Sequence, residues 1–552
     1  DILELKVVSL ETHEDHARLH MRTCPVADMQ PTSKATGERS MKIRPAPINI
    51  MDSIPRGIST KYLKDQRIPQ ARWQTQEAIE AHKALEYDPK NPNGKILIGA
   101  IGDKLIGVAE DRHIGTVAGN RSGKSVGVKN NLFFYNGSVV VIDLKTEHAN
   151  DTAERRAEMG QDVFVLDPYD RARGKARKYR ARYNPLRALT LGDVSVIEKA
   201  MQIVDGLIVT SGQEKDPHWN ETAGASLLGF ILYTAFGTDV PDKERHMGTV
   251  RRFVRNARRQ EQTEDGAVYA LPRRIIAGIQ TLYDTGHEDV AEAIEFSVRG
   301  LYEKSHEEMA GVASTMNRHT AFLDSISIKD VLSGHDFDLR DVKRKKMTIY
   351  LCPPATKLDA CKRWLRIFVN QLIDAMEEEE TVPDAPVLAI LDEFPVLGFM
   401  QQLQNAIGQI ASFHLLIWWI IQDWGQGKSL YKDRWESFTA NAGILQCFAN
   451  VDLVTTEYIS KRLGKTPVLA TRQGDTSFDQ IEKGMSGQSQ SKEMYDLLTP
   501  DEVARAFARS DPLKRQLIML AGLHPMIIQR CEYFDESAPY HHHFAGKYEV
   551  KV

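Results

Sequence analysis

The chain has 552 residues, of which 42% are hydrophobic and 26% are charged, and these proportions exclude a disordered or collagen-like polymer. Its 71 Lys and Arg against 75 Asp and Glu give a net charge of −4, which excludes a globally basic nucleic-acid binder but leaves local basic patches open. The length fits about three domains of ~150 residues or one large fold with a long insertion.

The five cysteines are few, odd in number and unclustered, so they support neither a disulfide scaffold nor a zinc site and fit a reducing cytosol. The uncharged stretch 222–238 is shorter than the ~20 residues of a membrane span, and the run 394–422 is interrupted by polar amides. We therefore expect the given chain to be soluble by itself.

Residues 1–84 show no sustained periodicity, and we interpret them as an N-terminal extended arm. Within this arm, residues 39–72 hold eight Lys or Arg and two Asp, a local charge of +6. The pattern is compatible with a solvated tail and with a contact surface for phosphates or anionic lipid.

Residues 85–190 contain short β runs separated by helical segments, which is typical of a parallel sheet built from βαβ units. The β runs are Ile96–Ile98, Gly115–Ala118, Ser138–Ile142 and Asp162–Leu166. Residues 191–330 have apolar residues at helical spacing and predict an all-α insertion domain. Sheet patterns return in 331–552 with the strands Met347–Leu351, Pro386–Leu391 and Leu415–Ile421 and a helix over about 358–380. The fold class predicted is therefore α/β, with one sheet domain split by the helical insertion.

The sharpest motif is nearly a Walker A loop between a β run and a helix. It comprises Ala118, Gly119, Asn120, Arg121, Ser122, Gly123, Lys124 and Ser125. Such a loop closes backbone N–H groups around a β-phosphate at a helix N-terminus. Lys124 would reach the β and γ phosphates of ATP, and the Ser125 hydroxyl would bind Mg²⁺. The strict pattern has Gly where Ala118 stands, which is a mild departure because Ala is small.

A second apolar strand runs into the carboxylates Asp392 and Glu393, as a Walker A partner requires. Asp392 would hold Mg²⁺, and Glu393 would orient and deprotonate the attacking water. Gln422 ends the next strand and would sense the γ-phosphate, unless it is only a satisfied amide at a strand end. The predicted catalytic set is Lys124, Asp392, Glu393 and Gln422.

Several motifs in order resemble one known family. They are Ala71-Arg72-Trp73, the loop Arg121–Lys124, Ser138–Glu147, Val163–Pro168, Tyr183–Leu186, His218–Asn220, Leu391–Pro395, Gln422, Tyr458–Ser460 and Leu498–Glu502. Individually most are weak, but their order and spacing are specific. Over about residues 69–548 the chain resembles the coupling-protein ATPases of type IV secretion, the TraG/VirD-type conjugative DNA-transfer proteins among the FtsK/HerA-like P-loop motors.

This resemblance implies a RecA-like P-loop NTPase that forms a ring, usually a homo-hexamer, at the cytoplasmic face of a bacterial inner membrane. It implies DNA, relaxase or effector proteins and type IV secretion channel components as partners. Two departures matter: the family's N-terminal membrane helices are not found in this chain, and no Arg lies between Phe394 and Gln422. An arginine finger would then come from elsewhere, with Arg434 and Arg462 as candidates.

Two sequence clusters of basic residues are candidate phosphate contacts, or otherwise solvated faces. One is the segment 171–182, with seven Lys or Arg, and the other is the group Arg251, Arg252, Arg255, Arg258 and Arg259. Three functions therefore stay open: a coupling ATPase for secretion or conjugation, a DNA pump without a secretion partner, and a nucleotide-gated docking scaffold with negligible hydrolysis.

Overall fold

The computed structural model describes residues 71–209, 217–264, 266–473 and 488–548. Its strands are β1 (Ile96–Ile101), β2 (Lys104–Val108), β3 (His113–Ala118), β4 (Val139–Ile142), β5 (Asp162–Leu166), β6 (Gln260–Thr263), β7 (Gly266–Tyr269), β8 (Met347–Leu351), β9 (Val387–Leu391), β10 (Leu415–Ile421), β11 (Ala442–Phe448), β12 (Lys465–Gln473), β13 (Gln488–Asp496), β14 (Arg515–Leu520) and β15 (Met526–Gln529).

Helices connect these strands. They are α1 (Gln76–Ala81), α2 (Lys124–Phe134), α3 (Glu147–Glu158), α4 (Val196–Leu207), α5 (His218–Phe236), α6 (Met247–Asn256), α7 (Ala270–Gly278), α8 (Gln280–Asp284), α9 (Glu288–Tyr302), α10 (His306–Thr320), α11 (Ile326–Val331), α12 (Asp341–Arg344), α13 (Leu358–Glu378), α14 (Gln401–Ala406), α15 (Trp424–Tyr431), α16 (Trp435–Ala440), α17 (Leu453–Leu463) and α18 (Pro500–Ala506).

Eleven strands form one sheet in the order β2-β1-β15-β14-β11-β3-β10-β9-β4-β8-β5. The seven strands from β11 to β5 are mutually parallel, which confirms the predicted parallel central sheet. The other four extend it in antiparallel fashion at one side. Strand β14 is antiparallel to β11, and β15 is antiparallel to β14, so β15 runs in the same direction as β11 and β3. The carboxyl ends of β15 and β3 therefore lie at the same edge of the sheet.

The parallel strands are buried on both faces, as expected for strands with helices on either side. In β4, Val139 and Val141 pack into one core with α2 and α3, while Val140 and Ile142 pack into the other core. The seven apolar residues of β10 alternate between the same two cores. Continuous apolar runs were therefore a correct signal for central strands.

In its described residues, the insertion between β5 and β8 holds α4 to α12 and one two-stranded hairpin, β6–β7. It is thus helical, as predicted, except for this hairpin, whose two short strands, one mostly exposed and one mostly half-buried, lack an alternating apolar pattern. Its first helix packs on α13 beside the sheet: Asn370 Nδ2 donates to the carbonyl of Gln202 at 3.1 Å, and Arg366 Nε donates to that of Gly206 at 3.3 Å. The domain boundary near residue 191 stays a prediction.

Most of the predicted arm lies outside the described residues, including nearly all of its basic stretch 39–72. The described part, from Ala71, packs against the body of the protein. Thr75 caps α1, and Ile79 and Leu85 are buried in the core on the α2 face of the sheet. Within the predicted arm 1–84, residues 76–81 are therefore helical and bury Ile79, and the boundary at residue 84 stays a prediction.

The described helices run from 4 residues in α12 to 21 residues in α13. None of them is both long and apolar enough to cross a membrane.

Candidate active site

The predicted phosphate loop lies at the carboxyl end of β3. Ala118 is the last residue of the strand, and Arg121 and Gly123 have positive φ angles of 53° and 97°. Such bends turn successive N–H groups to one side, as in anion-binding nests. A Cβ on Gly119 would lie 2.4 Å from the carbonyl oxygen of Ala449, so only glycine fits against the end of β11. Ala118 keeps an ordinary negative φ, which explains why alanine is tolerated where the strict motif has glycine.

The helix that follows the loop begins at Lys124 without a side-chain cap, so its first turn presents free N–H groups and the positive end of the helix dipole. Asn120 and Arg121 are exposed, Ser122 is buried, and Ser125 is half-buried in the first turn. Ser122 Oγ donates a 2.6 Å hydrogen bond to the carbonyl of Gly119, which holds the loop closed. The eight loop residues therefore form one strand, loop and helix unit.

Lys124 is directed back into this loop. Its Nζ donates to the carbonyl of Ala118 at 2.7 Å. Burial lowers the pKa of the Lys124 ammonium, and the nearby carboxylates of Glu393 and Asp392 oppose this shift. The predicted cation and the predicted acids are therefore brought to one place, although 268 positions separate Lys124 from Asp392 in the sequence.

The acidic pair follows β9, which is separated from β3 in the sheet only by β10. Glu393 has a left-handed backbone, with φ of 69°, which redirects the chain immediately after the strand. Gln422 follows β10, and its Nε2 donates to both carboxylate oxygens of Glu393 at 3.0 and 3.1 Å. The adjacent strand ends thus bring these two side chains together, and Gln422 orients the acid directly.

Asp392 contacts a residue that the sequence analysis missed. His148, one residue into α3, places its Nε2 3.2 Å from Asp392 Oδ2. Burial works against protonation of His148, but the carboxylates of Asp143 and Asp392 outweigh it and raise its pKa. Asp143 in turn accepts hydrogen bonds from the backbone N–H groups of Glu147 and Ala149. The buried His148, whose charged form the nearby Asp143 favours, therefore orients the half-buried Asp392.

A second missed residue is Arg530, which follows β15 at the same sheet edge as the loop. Its guanidinium donates to the carbonyl of Ser122 and lies 4.8 Å from the centre of the Phe448 ring. Burial lowers the pKa of Arg530, opposed by Glu532 and Asp511. Only the fold reveals this role, because Arg530 is 408 positions from Ser122. It positions the loop from within the same subunit.

Mg²⁺ was predicted at Ser125 and Asp392. The structure puts both at the carboxyl edge of the parallel strands, after β3 and β9. Hydroxyl and carboxylate oxygens are the ligands that Mg²⁺ favours, and it commonly keeps several waters. The donor set therefore fits the ion, and the assignment stays a prediction.

The two arginines proposed as trans-acting fingers are both exposed. Arg434 ends a short turn before α16. Arg462 donates to the Tyr458 hydroxyl at 2.8 Å, and Tyr458 stacks on Trp424 two residues beyond Gln422. Neither has an ion-pair partner in the described part of the chain.

The basic clusters seen in the sequence are largely ion-paired. In the segment 171–182, Arg177 and Arg180 pair with Asp170, and Lys178 pairs with Glu154. In the insertion, Arg251 and Arg255 pair with Asp324, and Arg252 pairs with Glu244. Asp170 and Asp324 are each shared by two arginines, so these pairings favour the interpretation of both clusters as solvated, partly neutralised faces.

The family model and two similar curated relatives belong to the same family. A family model described as Type IV secretory system Conjugative DNA transfer matches residues 62–550. The conjugal transfer protein TraG of Escherichia coli is 26% identical over 413 residues, which cover 71% of this chain and 61% of that protein. Protein VirD4 of Rhizobium radiobacter is 25% identical over 441 residues, covering 77% and 58%. The chain thus spans about three fifths of the length of these relatives.

Solved structures share the architecture. The bacterial conjugative coupling protein TrwBdeltaN70 in complex with sulphate has a TM-score of 0.59 at 12% identity, with 84% of this chain and 94% of that one covered. Plasmid coupling protein TrwB in complex with the ATP analogue ADPNP has a TM-score of 0.57 at 13% identity, with 84% and 93% covered. At such identities the likeness shows the fold: an α/β P-loop domain with a helical insertion.

Proposed function

Because the chain belongs to the type IV secretory system conjugative DNA transfer family, we propose that it is an ATP-hydrolysing coupling protein that drives DNA or protein substrates into a type IV secretion channel. The observation that carries this proposal is the meeting of Lys124, Glu393 and Gln422 at one sheet edge. A phosphate-binding cation beside an oriented carboxylate is the arrangement that phosphoryl transfer to water requires.

ATP and Mg²⁺ are the ligands proposed, and the TrwB complexes with ADPNP and with ADP and Mg²⁺ support them. When bound, Mg²⁺-ATP supplies the phosphoanhydride to be cleaved. The loop N–H groups and Lys124 bind and neutralise phosphate oxygens, while Ser125 and Asp392 hold the metal ion. Glu393 takes the proton of the attacking water, and Gln422 holds its carboxylate in place.

The partners follow from the family. We propose DNA with a relaxase or effector protein as cargo, secretion channel components as the receiving assembly, a homo-hexamer as the working form, and the cytoplasmic face of the bacterial inner membrane as its place. The helical insertion between β5 and β8 is proposed as the cargo-recognition part.

The deciding experiment compares Lys124→Ala with the native chain in ATP binding and turnover. We expect the variant to lose both, because the loop keeps its backbone but loses the cation that neutralises the β and γ oxygens. Lys428→Ala, on the exposed face of α15, is the matched control and should keep native values.

Native turnover in Lys124→Ala would contradict the assignment of this loop. ATP binding by the native chain without any DNA-stimulated turnover would instead favour the nucleotide-gated scaffold. Turnover stimulated by DNA without association with a relaxase or channel component would favour a DNA pump.

A further inference from the structure

A group of cations with no carboxylate partner lies where the helical insertion meets α13. Arg318 is on α10, and Lys362 and Arg363 are in the second turn of α13. In the described part of the chain, none of the three has an ion-pair partner, in contrast to the paired clusters at 171–182 and 251–255. This cation cluster, defined as Arg318, Lys362 and Arg363, joins residues more than 40 positions apart and is invisible to a sequence scan.

The two guanidiniums of the cluster are held by neutral groups. Arg363 Nη2 lies 3.4 Å from His319 Nδ1, and its Nε donates to the carbonyl of Leu207 at 2.9 Å. Arg318 Nη2 lies 3.3 Å from Asn220 Oδ1 and 3.4 Å from His319 Nε2. A single buried imidazole therefore stands between two positive charges.

His319 stays neutral in this position. It is 3% exposed, and burial together with Arg363 and Arg318 lowers its pKa to about 4. With Nε2 donating to Asn220 Oδ1 at 3.0 Å, Nδ1 is the acceptor for Arg363. His319 therefore accepts from Arg363, while Asn220 Oδ1 accepts from both His319 and Arg318, and neither neutral group cancels the charge of an arginine.

The positive charge of the cluster is also partly withdrawn from water. Burial lowers the pKa of Arg363, with a further contribution from Arg318 that Asp359 opposes. Burial also lowers the pKa of Lys362, with contributions from Arg366 and Arg363 that Asp359 again opposes. Arg366 itself is bound by backbone carbonyls. Like charges held together at a cost to their charged forms are stabilised by an external anion.

We propose that the cluster of Arg318, Lys362 and Arg363 is a contact site for the phosphate backbone of DNA. Planar guanidiniums bind phosphate oxygens through paired hydrogen bonds, and a lysine adds a mobile point charge. Such contacts position a nucleic acid without reading its bases. The assignment rests on the proposed function, in which DNA is a cargo, and it places one DNA contact at the junction between the insertion and the sheet domain.

The test measures binding of a fluorescein-labelled 30-nucleotide single strand to the native chain and to Arg318→Gln, Lys362→Gln, Arg363→Gln and the triple variant, each over a range of salt concentration. Each lost phosphate contact should reduce the slope of log affinity against log salt by ~0.7, equivalent to roughly 5-fold in affinity at 0.1 M salt. The triple variant should lose on the order of 10²-fold.

Two variants protect the test against misfolding. Arg318 is exposed and contacts only neutral side chains, so Arg318→Gln alone should show its share of the effect in a folded protein. Arg299→Gln is the matched control, because Arg299 is an exposed arginine of the insertion that is paired with Glu295. It should keep the native affinity and salt slope.

A triple variant with native affinity and slope would overturn the site while leaving the ATPase proposal untouched. A native chain that turns over ATP but binds no DNA at any salt concentration would overturn both the site and DNA as cargo. If the triple variant lost binding to vesicles of anionic phospholipid but not to DNA, the phosphate recognised would belong to lipid and the DNA assignment would be wrong.

Discussion

The Glu393 carboxylate must be held in a fixed orientation and still have an acceptor position free for the attacking water. Its left-handed backbone turns the side chain toward Gln422, whose amide donates to both carboxylate oxygens. An ionised carboxylate has about four acceptor positions, so two hydrogen bonds from one amide leave room for a water. Asp392 is held differently, by the buried imidazole of His148.

We expect Glu393→Gln to bind Mg²⁺-ATP but to hydrolyse it at least ~10²-fold more slowly, because a general base contributes roughly 10² to 10⁴ in rate. Single-turnover hydrolysis and nucleotide affinity measured on the same preparation separate the two steps. The control is Asp392→Asn, which should weaken the dependence of binding on Mg²⁺. Unchanged turnover in Glu393→Gln together with complete loss in Asp392→Asn would mean that the two acids have exchanged roles.

At the scale of elements, the buried His113 connects β3 with β10 and with the segment after α14. It begins β3, its Nδ1 accepts from the backbone N–H of Ile417 in β10 at 3.2 Å, and its Nε2 donates to the carbonyl of Ile407 after α14 at 2.7 Å. Burial lowers the pKa of His113 to about 4, against the favourable bond to Ile407. The neutral ring is therefore part of the packing around the phosphate-loop strand.

The lowered pKa of the buried His113 predicts that the folded protein loses stability in mild acid. The folded-state pKa of His113 lies below its usual 6.5, so the unfolded chain binds the proton first and stability falls as the pH drops from about 6.5 towards 4. Between pH 7 and 5 the group alone should contribute about 2 kcal/mol to this fall. Urea midpoints at both pH values measure it.

In His113→Gln we expect lower stability at pH 7 and a smaller difference between pH 7 and pH 5. The exposed His542 gives the control, since His542→Gln should keep the native difference. An unaltered pH dependence in His113→Gln would show that this imidazole does not titrate with unfolding.

Sequence patterns predicted the elements whose signal is local. Continuous apolar runs located β4, β9 and β10, and the glycine-rich loop located the phosphate site. Strands β11, β14 and β15 were not predicted, because they carry polar residues whose partners lie elsewhere in the chain. Gln446 in β11, for example, is an interior residue that accepts from the Thr116 hydroxyl of β3 at 2.8 Å. The contacts of His148 with Asp392 and of Arg530 with Ser122 depend on the same long-range pairing.

The sequence also does not reveal which charged side chains are neutralised by a partner. Runs of Lys and Arg in the sequence at 171–182 are paired with acids in space, whereas the unpaired cation cluster is assembled from two helices. A residue count along the chain cannot distinguish a neutralised charge from a free one, because the neutralising partner lies at an arbitrary sequence distance.

At the scale of the whole molecule, an exposed apolar surface follows the contact between the phosphate loop and the end of β11. Gly119 touches Ala449, and the chain then exposes Val451, Leu453 and Val454 with 81%, 65% and 49% of their surfaces in solvent. Large apolar side chains grouped in this way commonly mark an interaction surface. We expect a second copy of the chain to cover them and to bring an arginine to this site.

The last prediction is that hydrolysis requires this neighbour. No Arg lies between Phe394 and Gln422, and Arg530 is engaged with the loop backbone, whereas Arg434 and Arg462 are exposed. A missing arginine finger costs ~10³ to 10⁵ in rate, so an isolated subunit should be nearly idle and turnover per subunit should rise with protein concentration. DNA should raise it further. Enzymatic rate over a dilution series, with the mass of the species followed in parallel, measures this dependence.

In the double variant Val451→Ser and Leu453→Ser, the increase in turnover per subunit should occur at a higher protein concentration, because less apolar surface is buried on association. Val382→Ser removes a side chain that is 69% exposed just before β9, at the opposite edge of the sheet, and should leave the rise where it was. Arg434→Ala or Arg462→Ala alone should lose turnover if that arginine is the finger, and mixing the variant with Glu393→Gln subunits identifies it: an arginine supplied across the interface by the Glu393→Gln neighbour restores turnover at the intact Glu393 of the arginine variant. A stable monomer with constant turnover per subunit at every dilution would contradict the prediction and mark the site as self-contained.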